Sequence, residues 1–432
     1  MTKSEELGIN KIKQLIWIYV FLLIFEGAIR RWLLYSIREP LLLIRDPFVL
    51  WIYLLAIKSG VFPNNKFMQV IIFLGIISFL VSLTSPVSNL LVSLYGWRTN
   101  FLHLPLIFLI PKVFNIEDVK KIGRWILIFS IPVAFIMVMQ FNSGRDSFWN
   151  RSLTGEYDQL SSALGKGRPP GSFSFSTGPT LFFPFVTVFL LYSLFKRNLY
   201  STSLVLASSV SVLIAMSVSG NRGLVVSVII VCAATLFIFF SRPSLTNLVL
   251  KFLIIIFILV IFVSSLGIVN EGVRVLSKRF SEAGGIERGI KDRILGGLTQ
   301  AVSQYFEYPI FGYGLGTGTN VGSVLMTTKR GKTFVEDEWS RNLYEGGLVL
   351  GMLYILLRMA LTFYLFKESY KCLASLNILP LLIFASCGTS VLFGQIGQAN
   401  ILGFAVLGGG LCLAAARVSK EDAENNENIN TR

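Results

Sequence analysis

Apolar residues run in long blocks separated by short polar stretches, and the blocks are long enough for helices that cross about 30 Å of hydrocarbon. About twelve spans are predicted: Ile12 to Ile29, Leu41 to Ile57, Phe67 to Ser82, Asn89 to Ile110, Ile126 to Phe141, Pro179 to Phe195, Thr202 to Ser219, Gly223 to Phe240, Leu248 to Gly267, Gly347 to Leu365, Ala374 to Phe393 and Gly397 to Ala416. Arg45-Asp46 interrupts the second and Arg98 the fourth. The blocks stop between Val269 and Glu345, where the chain carries Arg274, Arg279, Arg288 and Arg293, then Pro309-Ile-Phe-Gly-Tyr-Gly-Leu-Gly316, then Glu336-Asp337-Glu338. In a chain that is otherwise lipid-embedded helix, such an insert is where ionic chemistry costs least. The pattern predicts an all-α polytopic membrane protein. Residues 1–268 hold nine spans and a smaller exterior loop at 142–178, and residues 269–345 form a large exterior loop with short surface helices. Residues 346–417 hold the last three spans, and 418–432 form a polar, disordered tail.

Composition agrees: 53% of the 432 residues are hydrophobic and the mean hydropathy is +0.66, far above a soluble domain. No cleavable signal is visible, because the first apolar run lacks a small-residue cleavage site before Glu26 and Arg30-Arg31. Alternating the spans places Lys58, Lys66, Lys112, Lys120, Lys121, Arg124, Lys196, Arg197, Arg242, Lys251, Lys367, Lys371, Arg417 and Lys420 on one side, so both termini are expected to be cytoplasmic. That orientation accounts for much of the net charge of +15 without a nucleic-acid partner. The exterior cations run against the bias and are mostly arginine: Arg145, Arg151, Arg168, Arg222, Arg274, Arg279, Arg288 and Arg293. The planar guanidinium fork matches phosphate oxygens two at a time.

The four cysteines, Cys232, Cys372, Cys387 and Cys412, have no C-x-x-C spacing and imply neither a disulfide framework nor a cysteine metal site. His103 is the single histidine; it reads as a packed or hydrogen-bonded residue, with a place in a substrate or proton path as the alternative. No internal repeat or inverted pair of broken spans points to a secondary transporter, which leaves a transporter or flippase of a lipid-linked anion as the runner-up.

Four exterior features carry candidate chemistry. Arg168-Pro-Pro-Gly-Ser-Phe173 presents an arginine at headgroup level just before a span, as a phosphate contact or a snorkelling anchor. Arg222, in Ser217-Val-Ser-Gly-Asn-Arg222-Gly, sits in a turn with almost no loop, where it meets a phosphate or an acidic partner. Arg293 stands at the start of an apolar stripe through Ile294, Leu298, Val302 and Tyr305, an amphipathic surface helix whose N-terminus favours an anion. The alternating glycines of 312–318 permit positive φ and close approach of backbone N–H groups to a ligand, but they form neither a Walker A nor a Rossmann fingerprint. Arg98, Glu26 and Arg30-Arg31 are either interior partners or part of a lipid-diphosphate pocket.

Arg-x-x-Gly-x-Phe before a span, Ser-Gly-Asn-Arg-Gly between two spans, an Arg-led helix ending in Pro-x-x-Gly-Tyr-Gly-x-Gly, and Glu345-Gly-Gly opening the next span occur in this order over about residues 90 to 370. In this the chain resembles the O-antigen polymerase and O-antigen ligase superfamily. The resemblance implies an inner-membrane glycosyltransferase working at the periplasmic face without nucleotide sugars. It would polymerise undecaprenyl-diphosphate-linked oligosaccharide repeat units of an O-antigen or exopolysaccharide, or as a ligase pass polymer to a different acceptor. It further implies Arg222 and Arg293 around the donor diphosphate, and membrane lipids, a chain-length regulator and a flippase as partners. Many members carry a His-Asn pair before the Glu-x-Gly; here that region reads Glu336-Asp-Glu338-Trp-Ser-Arg-Asn342. A carboxylate among Glu336, Asp337 and Glu338 is then the expected base, with Trp339 as a stacking face for a sugar. No cofactor is expected; Mg2+ or Mn2+ on the acidic triplet, or a merely solvated charge run, are the alternatives.

Overall fold

In the computed structural model, eight helices are long and apolar enough to cross a membrane: Glu5–Leu33, Pro40–Lys58, Lys66–Leu83, Ile116–Asn142, Thr177–Phe195, Arg222–Phe239, Glu338–Lys371 and Ala399–Arg417. Two shorter apolar helices, Thr202–Val218 and Leu379–Phe393, pack among them. The structure describes residues 3–144, 146–153, 163–196, 198–241, 261, 264–282, 303, 308–326, 335 and 337–430. Most of the ninth expected span, the helix expected to follow Arg293, and Arg293 itself lie outside the described residues.

The helices are α1 (Lys3–Ala28), α2 (Asp46–Lys58), α3 (Lys66–Leu83), α4 (Leu90–Trp97), α5 (Leu106–Val113), α6 (Ile116–Asn142), α7 (Thr177–Phe195), α8 (Thr202–Val218), α9 (Arg222–Ser241), α10 (Gly267–Glu282), α11 (Asn320–Leu325), α12 (Glu338–Gly346), α13 (Met352–Lys371), α14 (Leu379–Phe393) and α15 (Ala399–Asn430). No strand occurs among the described residues. Asparagines start three helices: Asn65, Asn89 and Asn115 each accept the backbone N–H three residues on, and Asp118 returns a bond to Asn115 N–H.

Helix α15 is the hub, with 94% of its apolar window buried against α5, α7, α13 and α14. Its glycines make this possible, since a Cβ on Gly410 would press on Ile110 and one on Gly403 on Arg45 and Leu23. Helices α2 and α3 are peripheral and turn Leu54 and Phe73 outward, an apolar face that suits lipid better than water.

One end of the bundle is fastened by Lys13 to Asp118 at 2.6 Å, by Arg417 donating to the Pro111 carbonyl, and by Asn377 donating to the Ala415 carbonyl. At the opposite end α1 finishes, α7 and α15 begin, and α8 turns into α9; the charged site is built there.

Several elements differ from the sequence reading. The fourth span is not one helix: α4 passes into a π turn at Arg98–Leu102 and bends through His103 and Leu104 to Pro105, which cannot donate to a continuing helix. The eleventh starts at Leu379 rather than Ala374, because residues 372–377 turn through Leu376 at φ +57°. The tail beyond 418, expected to be disordered, continues α15 to Asn430. Extending an existing helix needs no new nucleus. A further helix, α12, starts well before the tenth span, at Glu338, and ends at Gly347, whose φ of +68° and ψ of −166° leave the helical region before the π turn and α13.

Candidate functional site

That early start decides the fate of the acidic triplet. Asp337 is the N-cap of α12, its Oδ2 accepting Ser340 N–H at 2.8 Å. Glu338, Arg341 and Glu345 then fall on one face of the helix. Arg341 Nε and Nη2 donate to the two Glu338 oxygens at 2.9 and 2.8 Å, and Nη1 donates to Glu345 Oε2 at 2.9 Å. Arg358, one helix further on, donates Nη1 to Glu338 Oε1 at 2.5 Å and its other nitrogens to the carbonyls of Ser390, Val391 and Gly394. Asn100 Oδ1 accepts from Arg341 Nη2 at 3.0 Å. Glu338, Arg341, Glu345, Arg358 and Asn100 are all buried. A charge set of this kind persists only when every ion is paired, since a lone buried ion costs several kcal/mol.

The glycine segment locks onto this helix. Gly312, Gly314 and Gly316 have φ of +72°, +103° and +83°, the left-handed region that side chains avoid. Tyr313 and Gly314 N–H donate to the carbonyls of Tyr344 and Glu345, Gly318 N–H donates to Glu345 Oε1 at 3.2 Å, and Leu315 N–H donates to Ser82 Oγ at 2.8 Å. A Cβ on Gly96 would enter the backbone of Leu315 and Gly316. The close approach expected of these glycines is therefore made to α4 and α12.

A second buried network lies across the same end. Glu26 accepts from Arg30 Nη1 at 3.5 Å and lies 3.3 Å from Arg45 Nε. Arg45 donates to Tyr19 Oη at 3.4 Å and to the Ala399 carbonyl at 2.6 Å. Tyr19 Oη is 3.1 Å from His103 Nδ1, and His103 Nε2 is 2.9 Å from Asp46 Oδ1. Arg98 completes the set with a bidentate contact to Asp46 at 2.7 and 3.0 Å. His103 is thus a hydrogen-bonded interior residue. Between the networks is a cavity of about 60 Å3 whose walls include Tyr95, Phe175, Thr319, Arg341, Gln395 and Gln398.

The positions expected from sequence to carry chemistry have different surroundings. Arg341 was not among them, yet it is the charged side chain on the cavity wall. Arg168 is half-buried, with Nε enclosed and without an acceptor among the described residues; Arg98 is paired with Asp46 but keeps a buried Nη1 without one among them. Arg222 opens α9 behind Gly220 at φ +56°. Its neighbour Asn221 donates to Thr180 Oγ1 at 2.8 Å, and Thr177, one turn earlier on α7, donates to Gln398 Oε1 on the cavity wall at 3.0 Å.

Two expectations are corrected. Glu338 is not an open carboxylate, because it is buried and its oxygens accept from two guanidiniums. Both of its oxygens are engaged by that pairing, and among the described residues no group of three His, Cys, Asp or Glu side chains stands close together. Trp339 offers no stacking face; it packs against Leu343, Ile355, Tyr308, Leu392 and Phe393. Glu336 and Arg293 lie outside the described residues. Asp337 keeps Oδ1 free of hydrogen bonds among the described residues, and its capping role is testable: Asp337→Ala should lower stability by about 1 kcal/mol while Asp337→Ser holds it nearly unchanged, read from thermal unfolding in detergent.

Two signals in the sequence would have exposed the rest. Glu338-x-x-Arg341-x-x-x-Glu345 has the spacing of same-face helix pairs, and Arg358 is a lone charge deep inside an apolar run.

Fold and site together define an α-helical membrane protein with paired charge buried at one end of its bundle. The chain matches no family model, and no curated protein matches it.

Proposed function

We propose that the protein is a membrane glycosyltransferase that polymerises undecaprenyl-diphosphate-linked oligosaccharide repeat units at the periplasmic face of the bacterial inner membrane, with both termini cytoplasmic. One observation carries the reading: Arg98 and Arg168, two of the arginines expected around a lipid diphosphate, each hold a buried guanidinium nitrogen with no acceptor among the described residues. An unmet donor on a buried cation costs about 1–3 kcal/mol or more, and a phosphate oxygen is the acceptor its geometry suits best. Charge balance supports it. Arg30, Arg45, Arg98, Arg341 and Arg358 face Glu26, Asp46, Glu338 and Glu345, an excess of positive charge among the described residues at this end.

In the proposed reaction the hydroxyl oxygen of the acceptor sugar attacks the anomeric carbon of the donor glycan. The bond from that carbon to the diphosphate oxygen breaks, and its electron pair leaves on the diphosphate. Arg222 and Arg293, with Arg98 and Arg168, stabilise the departing charge, each contact contributing on the order of 2–4 kcal/mol in the transition state. The hydroxyl proton passes to Asp337 or Glu336. Glu338 instead acts as a positioning residue, holding Arg341 against the cavity.

The reading is tested by incubating purified protein with its host's undecaprenyl diphosphate repeat units, without nucleotide sugar. A ladder of lipid-linked oligomers is expected; unchanged repeat units from a folded preparation would overturn it. Arg222→Ala and Arg293→Ala should each abolish polymer while the protein stays in the membrane, and normal chain length in either variant would remove the diphosphate role of that arginine.

A further inference from the structure

Away from the cavity, on the chain between α1 and α2, the ring of Tyr35 is in contact with two cations. The Arg151 guanidinium carbon is 3.5 Å from the ring centroid and that of Arg38 is 4.4 Å. Neither forms an ion pair with any described carboxylate. Arg38 donates to the carbonyls of Leu153 and Tyr35. Cation–π attraction at a surface contributes about 0.5–1 kcal/mol per contact, and two like charges on one ring repel each other. An anion shared by both guanidiniums removes that repulsion.

The surroundings are built rather than loose. Trp32 Nε1 donates to the Phe148 carbonyl at 2.9 Å, Arg31 Nε donates to the Arg151 carbonyl at 3.0 Å, and Asn150 donates to the carbonyls of Gln140, Ser143 and Gly144. Trp32 stacks on Phe148 with centroids 6.0 Å apart, and Trp149 meets both rings edge-on at 5.8 and 5.7 Å. Beside them Leu33 is 76%, Phe148 63% and Ile37 50% exposed. Indoles, arginines and outward aliphatic side chains in one patch are the make-up of a membrane–water interface.

We propose that Arg38 and Arg151 hold the phosphate of an anionic phospholipid of the surrounding bilayer, with its acyl chains lying along Leu33, Ile37 and Phe148. The choice of occupant follows from charge and shape. Two cations that no described carboxylate neutralises ask for net negative charge, which a zwitterionic headgroup lacks, and the exposed apolar side chains ask for a hydrocarbon body, which a free phosphate lacks. The site does not depend on the proposed glycosyl transfer.

The test is native mass spectrometry of the detergent-purified full chain with phosphatidylglycerol, with phosphatidylcholine of the same acyl chains, with a polyprenyl diphosphate, and with inorganic phosphate. Phosphatidylglycerol should bind tighter than phosphatidylcholine and weaken steeply with added NaCl, a readout that needs no variant. Arg151→Gln should reduce its affinity about fivefold and the Arg38→Gln/Arg151→Gln pair roughly thirtyfold, with Arg151→Lys keeping most of it. Equal affinity for the two phospholipids, or unchanged binding by a folded double variant, overturns the proposal. Displacement by inorganic phosphate alone makes this a free-anion site and overturns it, as does displacement by polyprenyl diphosphate at far lower concentration, which assigns the site to substrate. These outcomes are independent of whether a polymer ladder forms.

Discussion

Arg341→Ala is expected to lower folding stability by about 3–5 kcal/mol, the largest single loss at this end of the bundle. The guanidinium makes four of its bonds to Glu338, Glu345 and Asn100, and truncating it strands a buried carboxylate at Glu345 while Glu338 is left with Arg358 alone. The loss is read from thermal or SDS unfolding in detergent. Because the cost arises from stranded charge, adding Glu345→Gln to Arg341→Ala should recover part of it, a coupling that independent sites would not show. A drop under about 1 kcal/mol would mean that the carboxylates have other partners and that the network is wrongly drawn.

Gly316→Ala is expected to cost about 2–5 kcal/mol and, on the proposed function, to eliminate polymer formation even where protein remains. Two effects add. At φ +83° a side chain is strained, and its Cβ would meet the Val92 carbonyl oxygen and the backbone of Gly96, neither of which can move without shifting α4. Gly60→Ala separates the two, because Gly60 has φ +66° but open space around it, and should show strain alone, about 1 kcal/mol. Equal losses at the two positions would refute the contact between the glycine segment and α4.

Which features were legible in the sequence depends on the range of the interactions that make them. Helices driven by apolar length were legible, and so was the left-handed character of the 312–316 glycines, since both are properties of a local stretch. The burial of Glu338 was not, because an acidic triplet beside a predicted loop reads as solvated unless its arginine partners are known. One partner, Arg341, lies a turn away, but the other, Arg358, and the amide of Asn100 come from α13 and from the turn after α4. Trp339 was misread for the same reason: its packing partners Leu392 and Phe393 are distant in sequence. The interruptions at Arg45-Asp46 and Arg98 looked like flaws in two spans. In the fold they are the charges that bind those spans together, Arg98 to Asp46 and Arg45 to Glu26.

The π turn at Arg98–Leu102 has one more consequence, for the changes in chain length that the protein can absorb. Wider coiling frees backbone carbonyls, and tyrosines from elsewhere satisfy them: Tyr354 donates to the Asn100 carbonyl at 2.9 Å and Tyr53 to that of Leu102 at 2.7 Å. Within this turn Arg98 reaches Asp46 while Asn100 reaches Arg341, so one short stretch is keyed to both networks at once. Deleting a single residue here would relax the turn to ordinary α-helix and rotate the downstream residues by about 100°, detaching both networks and both tyrosines together. Loops between spans tolerate insertions and deletions; this stretch has a fixed count of residues, and homologues that keep the site should align through it without a gap.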